Sequence, residues 1–174
     1  INLLLQVTGK RVDGYHELIS LMCCVDLFDT IFLQFGLKNI RIESSHPQIP
    51  LDDTNLAHRA AAVFLQALNV NDGLKIFIDK SIPLAAGLGG GSSNAASVLK
   101  GLNQHYGYPF SRNQLMSMGL GLGADVPFFL FGKPALVSGI GEKLEAYAGP
   151  LPFHIVVVYP GFKVSTAEVF RNLN

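Results

Sequence analysis

The sequence predicts an α+β fold, and three observations carry that reading. Segments rich in β-branched and aromatic residues dominate the first 44 residues, and helical spacing sets in only after residue 54. From there helices and single strands mix, an order that favours segregated layers over a doubly wound parallel sheet. Hydrophobic residues fill 49% of the 174 positions and charged residues only 15%, which excludes disorder because the apolar surface can offset the entropy of folding.

Along the chain, Ile1–Val7, Glu17–Phe28 and Thr30–Phe35 are predicted strands, with Asp29 in the turn between the last two. Thr8 to Gly14 reads as a polar turn, its Asp13-Gly14 pair being a hairpin signal. Asn39–Ser44 alternates apolar and polar residues, as a half-buried strand should. After a loop from Pro47 to Thr54, residues Leu56, Ala60, Val63, Phe64, Ala67 and Leu68 recur at helical spacing, and Asp53 or Thr54 is placed to cap that helix. Leu74–Asp79 is a predicted strand. Ser92–Tyr106 follows as a helix with Ala95, Leu99, Leu102 and Tyr106 on one stripe, then Ser111–Leu120 as a third. Phe128, Phe129 and Phe131 read as core. Ala135–Ser138 and His154–Tyr159 are predicted strands, with Glu142 and Lys143 in a solvated turn between them. Ser165–Asn172 opens a last helix, and the chain is expected to continue beyond it.

Several function classes drop out. Lys+Arg 13 and Asp+Glu 13 cancel to zero net charge, which argues against a nucleic-acid partner, whose phosphates must be neutralised by basic side chains. The most apolar stretch, Leu115 to Val137, is interrupted by Asp125, Pro127, Lys133 and Pro134, so no span of ~20 apolar residues exists and no membrane partner is expected. The start at Ile1-Asn2-Leu3 has no basic segment leading an apolar core, so the expected location is cytoplasmic. Cys23 and Cys24 are adjacent and without other cysteines, which excludes a disulfide framework; they are expected on opposite faces of a strand. His46, His58, His105 and His154 lack ligand spacing, so no protein-held metal is expected.

The sharpest feature is Pro83-Leu84-Ala85-Ala86-Gly87-Leu88-Gly89-Gly90-Gly91-Ser92-Ser93, which follows a strand and enters a helix. Glycines permit positive φ and close approach of a ligand. A helix start with unpaired N–H groups and a positive dipole end favours an anion, and a phosphate fits best; a flexible hinge is the plainer alternative. No Lys precedes Ser92, so the loop is not a Walker A motif, and the spacing fails the dinucleotide fingerprint. Gly119-Leu120-Gly121-Leu122-Gly123-Ala124 does fit G-x-G-x-x-A, but it follows a predicted helix where that fingerprint must follow a strand. A helix end and tight turn account for those glycines.

Asp125 closes that turn among Ala124, Val126, Pro127 and Phe128. It reads either as a helix N-cap, with Pro127 in the first turn, or as a carboxylate made more basic by lost hydration. An isolated acid beside a non-Walker glycine loop points to phosphoryl transfer, with the loop holding nucleotide phosphates and the acid deprotonating an acceptor hydroxyl. Tyr15-His16, after the Asp-Gly turn, is either strand packing or an edge on which a base stacks.

Four blocks, in order, resemble the GHMP small-molecule kinases: Gly14-Tyr15-His16-Glu17, Gly87 to Ala96, Gly123 to Phe128, and Pro160-Gly161 with Ser165-Thr166. Within that family they are most similar to the branch that phosphorylates the 2-hydroxyl of a cytidine diphosphate-linked methylerythritol in non-mevalonate isoprenoid synthesis. The resemblance implies a GHMP N-terminal domain of the ribosomal protein S5 domain 2-like type over residues 1–150, with an incomplete C-terminal α+β domain beginning at 151–174. It implies ATP with Mg²⁺, Asp125 as catalytic base, and Pro83, Leu84, Ala85, Ala86, Gly87, Leu88, Gly89, Gly90, Gly91, Ser92 and Ser93 as the ATP phosphate loop. Asn55 and Lys80 fall near the adenine pocket. Tyr15 and His16 match the pair holding the cytosine ring, Asn2 an acceptor-site residue, and Thr166 and Phe170 positions near the cytidyl moiety. The family's catalytic Lys would precede Ile1 and its third glycine motif is missing, so the chain is expected to be a fragment with weak turnover. A homoserine or mevalonate kinase is the alternative within the family; a nucleotide-binding module without catalysis, or more distantly a dinucleotide-dependent oxidoreductase, lies outside it. Oligomeric state is left open.

Overall fold

Strand β1 (Asn2–Lys10) and strand β2 (His16–Met22) form an antiparallel hairpin in the computed structural model, which describes residues 1–12, 14 and 16–161. β1 runs three residues further than predicted, so Thr8, Gly9 and Lys10 belong to the strand and the turn is correspondingly tighter, closed by the Gly14 N–H on the Arg11 carbonyl at 3.1 Å. β2 stops at Met22, six residues before its predicted end. Cys23 N–H still bonds the Ile1 carbonyl, but the chain then leaves the sheet. Cys23 is buried and Cys24 exposed, the expected opposition, made by a coil rather than a strand.

β2 continues the sheet through β6 (Ala135–Gly139) to β7 (Lys143–Ala146), giving the antiparallel order β1-β2-β6-β7. Lys143 therefore starts a strand instead of lying in the turn. Glu142 does lie in the turn, where its Oε2 accepts the Ile140 N–H at 2.7 Å. A second sheet orders β3 (Thr30–Leu37), β5 (Gly73–Asp79) and β4 (Arg41–Ser44) as β3-β5-β4. β3 and β5 are antiparallel, while β4 and β5 are parallel because helix α1 (Leu56–Leu68) crosses between them. Along β3 the odd positions Ile31, Leu33, Phe35 and Leu37 turn inward, the period-two pattern of a half-buried strand.

Asn55 caps α1, accepting the Ala57 N–H at 2.9 Å. The expected caps lie just upstream: Asp52 instead takes the Thr54 N–H and hydroxyl, and forms a turn that sets up Asn55. Small residues Ala57, Ala60 and Ala61 on α1 face Ala95 and Ala96 on α2 (Gly90–His105), and the core between them is completed by Phe64, Leu99 and Leu102 with Leu74, Ile76 and Ile78 of β5. Helix α3 (Arg112–Leu122) opens with a capping box between Ser111 and Gln114. A short α4 (Val126–Phe131) follows, and Phe128 joins Met22, Ala135 and Val137 in a smaller core under the first sheet. His154–Tyr159, predicted as a strand, carries neither helix nor strand. Val156 and Val158 are exposed, and an isolated apolar run has no ladder to satisfy its backbone there. The predicted helix Ser165–Asn172 lies outside the described residues.

Phe64 is fully buried, with Phe110 edge-on at 5.1 Å. Phe64→Ala should therefore lower the unfolding free energy by about 3–5 kcal/mol, through lost burial and an unfilled cavity. Urea melts measure this directly, and a loss below about 1 kcal/mol would place Phe64 outside the core that fixes α1 on α2.

Candidate active site

β5 delivers the chain to Lys80, and the loop that follows changes hand at every second residue. Ala85, Gly87 and Gly89 have φ of 52°, 73° and 65°, while the residues between them do not enter that region. Such alternation turns successive N–H groups toward one concavity, an anion-binding arrangement. Gly89 is also the N-cap of α2 and brings no side chain to it. The N–H groups of the first turn are thus left without a side-chain cap and face the concavity with the positive end of a 16-residue helix.

Gly89 is required for a second reason. A Cβ there would stand 2.9 Å from the Phe129 ring and 4.0 Å from Asp125 Oδ2. The absent side chain is what lets the loop, the ring and the carboxylate share one place.

A cleft of about 290 Å³ is bounded by Pro83 to Ser92 along one side, with Leu56, Lys80 and Asp125 completing it. Ten of the eleven loop residues singled out from sequence line it; Ser93 looks instead into an adjoining cavity of about 120 Å³ with Leu88, Ile82 and Phe129. Asp125 presents its carboxylate to the cleft, and the surrounding protein pushes its pKa above the ordinary aspartate range by displacing hydration. It precedes α4, but its side chain makes no cap hydrogen bond, so the N-cap reading fails. Pro127 occupies the first turn of α4, as expected, and pre-sets its φ.

The glycines before Asp125 have a different explanation from the one the sequence suggested. Gly119 and Gly121 lie inside α3, not beyond its end. A Cβ on Gly119 would sit 2.8 Å from Leu130 Cδ1 and 2.9 Å from Val126 Cγ1, so Gly119 lets α4 pack directly against α3. The C-terminal carbonyls of α4 are held as well: Lys100 Nζ donates to Phe129 O at 2.6 Å, and Arg112 donates to Phe131 O while lying 4.5 Å over its ring. Both ends of the element that follows Asp125 are fixed. The dinucleotide alternative is excluded here, since α3 rather than a strand leads into that glycine run.

The remaining site residues are spread more widely. Asn55 lines a neighbouring pocket of about 210 Å³ with Lys80, Leu84 and Gly91; its amide is engaged by the fold, donating to Pro50 O at 2.7 Å while capping α1. Lys80 is buried against Asp29. Asn2 is exposed at the start of β1 and donates to Ser20 Oγ at 2.7 Å; it does not line the loop's own cleft, but the preceding Ile1 lines the adjoining cavity that Ser93 enters. His16 pairs with Lys10 at the other end of the hairpin from Asn2, which pairs with Met22. Tyr15, Thr166 and Phe170 lie outside the described residues. Three contributors were not anticipated: Leu56 and Phe129, which wall the loop, and Tyr159, whose hydroxyl reaches Leu84 O at 3.4 Å. Phe129 stands four residues after Asp125, one helical turn on, and that spacing was the available signal.

Residues 55–133 match the family described as GHMP kinases N terminal domain, and they include the loop, Asp125 and every helix that supports them. Over that stretch the chain is similar to the GHMP kinases, and its α+β fold is that of their N-terminal domain. It is 50% identical over 174 residues to the 4-diphosphocytidyl-2-C-methyl-D-erythritol kinase of Syntrophotalea carbinolica, covering 99% of this chain and 62% of that protein. The enzyme of the same name from Alkaliphilus metalliredigens is 46% identical, with 100% of this chain and 60% of that protein covered. A solved 4-(cytidine 5'-diphospho)-2C-methyl-D-erythritol kinase superposes with a TM-score of 0.79 at 37% identity, over 98% of this chain and 60% of that one. The chain thus spans about three fifths of the length of the relatives it matches. A homoserine kinase from Cytophaga hutchinsonii shares the fold alone, with a TM-score of 0.68 at 20% identity over 91% of this chain and 54% of that one.

Proposed function

We propose that the protein uses ATP to phosphorylate the 2-hydroxyl of 4-diphosphocytidyl-2-C-methyl-D-erythritol, a cytoplasmic step toward isoprenoid precursors. The observation that carries this reading is the single cleft shared by Pro83 to Ser92 and Asp125. The names of the relatives supply the acceptor.

In this reading the N–H groups of the loop and of the first turn of α2 neutralise phosphate charge with no lysine spent on it. Asp125 accepts the proton of the acceptor hydroxyl as that oxygen bonds the γ-phosphorus; the bond to the bridging oxygen breaks and ADP leaves. A base with a raised pKa is better matched to an alcohol, while burial keeps water from competing. Tyr15 and His16 hold the cytosine ring, with Thr166 and Phe170 beside the cytidyl group. Asn2 contacts the polyol, and Asn55 with Lys80 borders the adenine. A ligand with a base at one end and a polyol at the other suits contacts at opposite ends of the β1–β2 hairpin.

No group of three or more His, Cys, Asp or Glu able to hold a metal occurs among the described residues. The cleft does offer oxygen donors, the Ser92 hydroxyl and the Asp125 carboxylate, which suit a hard cation that keeps most of its waters. Mg²⁺ would enter with the nucleotide and supply charge neutralisation at the phosphates. No described helix is long and apolar enough to cross a membrane.

The test is ADP release from the purified protein with ATP and each of three acceptors. The expected outcome is a kcat/KM for the cytidyl substrate at least about 10²-fold above those for homoserine and mevalonate, because groups placed for an absent base would be left unpaired. ATP binding with no ADP release on any acceptor would reduce the protein to a nucleotide-binding module and sink the proposal.

A pH profile gives an independent check. The raised pKa of Asp125 places the acid limb of kcat/KM above the ordinary aspartate range, with activity falling as pH drops and the base becomes protonated. A profile flat down to that range would show that Asp125 does not take the proton.

A further inference from the structure

The segment that enters the glycine loop is held by a carboxylate from a distant part of the chain. β3 and β5 end their ladder with Thr30 opposite Asp79, so the next residues outward, Asp29 and Lys80, meet just beyond it. Both side chains are buried, Asp29 completely and Lys80 with 3% of its surface exposed. Asp29 Oδ1 accepts the N–H groups of Ser81 and Ile82, each at 2.8 Å. Lys80 Nζ lies 3.2 Å from Oδ1 and 3.0 Å from Oδ2 of the same carboxylate, and it also donates to the Ile82 carbonyl. Residues 80–82 are thus tied to one buried group, and Pro83, the first loop residue in the cleft, follows at once.

A buried ion pair is weak evidence for stability, since an apolar pair of similar size often serves as well. Its place is therefore informative. The Lys80 ammonium stands 3.4 Å from where a side chain on Gly90 would begin, at the floor of the proposed phosphate site. There an unpaired lysine would compete with the backbone for phosphate oxygens.

We propose that Asp29 and Lys80 act together as positioning residues, a brace that fixes the glycine loop where its N–H groups meet nucleotide phosphates. The lysine charge is taken up by Asp29 and not by phosphate. The inference rests on reading the loop as the nucleotide site. It adds that affinity for ATP depends on Asp29, which does not line the cleft.

The test compares Asp29→Asn, Lys80→Met and the double variant with the unmodified protein, well below their melting temperatures. Each single substitution should raise KM for ATP by about tenfold, and Asp29→Asn should leave kcat and the acceptor KM within about twofold. The double variant should be no worse than the weaker single one, because partners in one device are non-additive. A lowered melting temperature with ATP KM unchanged in both singles, or additive losses in the double variant, would overturn the brace. Should the variants not fold, amide exchange in the unmodified protein decides: Ser81 and Ile82 should exchange slowly without nucleotide, and exchange as fast as an open loop would overturn it. An unmodified protein that fails to bind ATP would remove the loop reading and the brace with it, whereas ATP binding indifferent to both substitutions would remove the brace alone.

Discussion

Asp125→Asn should lower kcat by roughly 10²–10⁴-fold while leaving ATP affinity within about threefold. The substitution keeps the shape and removes the one carboxylate that lines the cleft with the phosphate loop among the described residues. Nucleotide affinity is assigned to backbone N–H groups of the loop and of α2, which the change does not touch. Stability should move the other way. Surrounding protein raises the folded-state pKa of Asp125, so the ionised carboxylate costs stability at pH values above its unfolded-state pKa. That cost is relieved as pH falls through the raised folded-state value. Near neutral pH the Asn variant should therefore melt no lower than the parent, and any advantage should shrink under acid conditions. Initial rates, ATP titration and melts at two pH values measure all three quantities. A kcat within tenfold of the parent would place the base elsewhere.

Gly89→Val should cut kcat/KM for ATP by roughly 10²-fold. A β-branched residue at the observed φ of 65° costs about 1–2 kcal/mol of backbone strain. Its Cβ would press on the Phe129 ring at 2.9 Å, and overpacking adds about 1–3 kcal/mol. The methyls would also extend toward Asp125 Oδ2, 4.0 Å from that Cβ. The loop can escape the clash only by giving up the geometry that aims its N–H groups. Gly121→Ala is the matched control. Gly121 is helical with open space around it, and alanine there should be neutral or stabilising by about 0.5–1 kcal/mol. Equal losses in both variants would mean that glycine content, and not the shape of the Gly89 turn, is what the kinetics report.

Much of the fold was legible because its causes are local. Helical spacing marks α1, α2 and α3, β-branched and aromatic content marks β3, and alternation marks β4, since each pattern requires only neighbours in sequence. The glycine loop was legible for the same reason: positive φ is a property of single residues, and a strand before and a helix after are short-range context. The α1 cap was missed by one residue because Asp53, Thr54 and Asn55 all suit an N-terminus. Only the turn that Asp52 makes with Thr54 selects Asn55. β2 was over-extended because Cys23 to Phe28 has strand composition but no partner strand along which to continue.

Tertiary packing decided the rest. That Gly119 serves helix contact, that Asp125 points to the cleft without capping α4, and that Phe129 underlies Gly89 follow from how α3 and α4 dock. Asp29 and Lys80 stand 51 positions apart, and nothing in either neighbourhood names the other. The amino-acid order by itself determined which segments coil or extend and that one loop can cradle an anion, because those depend on backbone preferences a few residues long. Which side chains meet at that loop was settled only when the sheets and helices closed on their shared core, since burial, unlike periodicity, is a property of the whole chain.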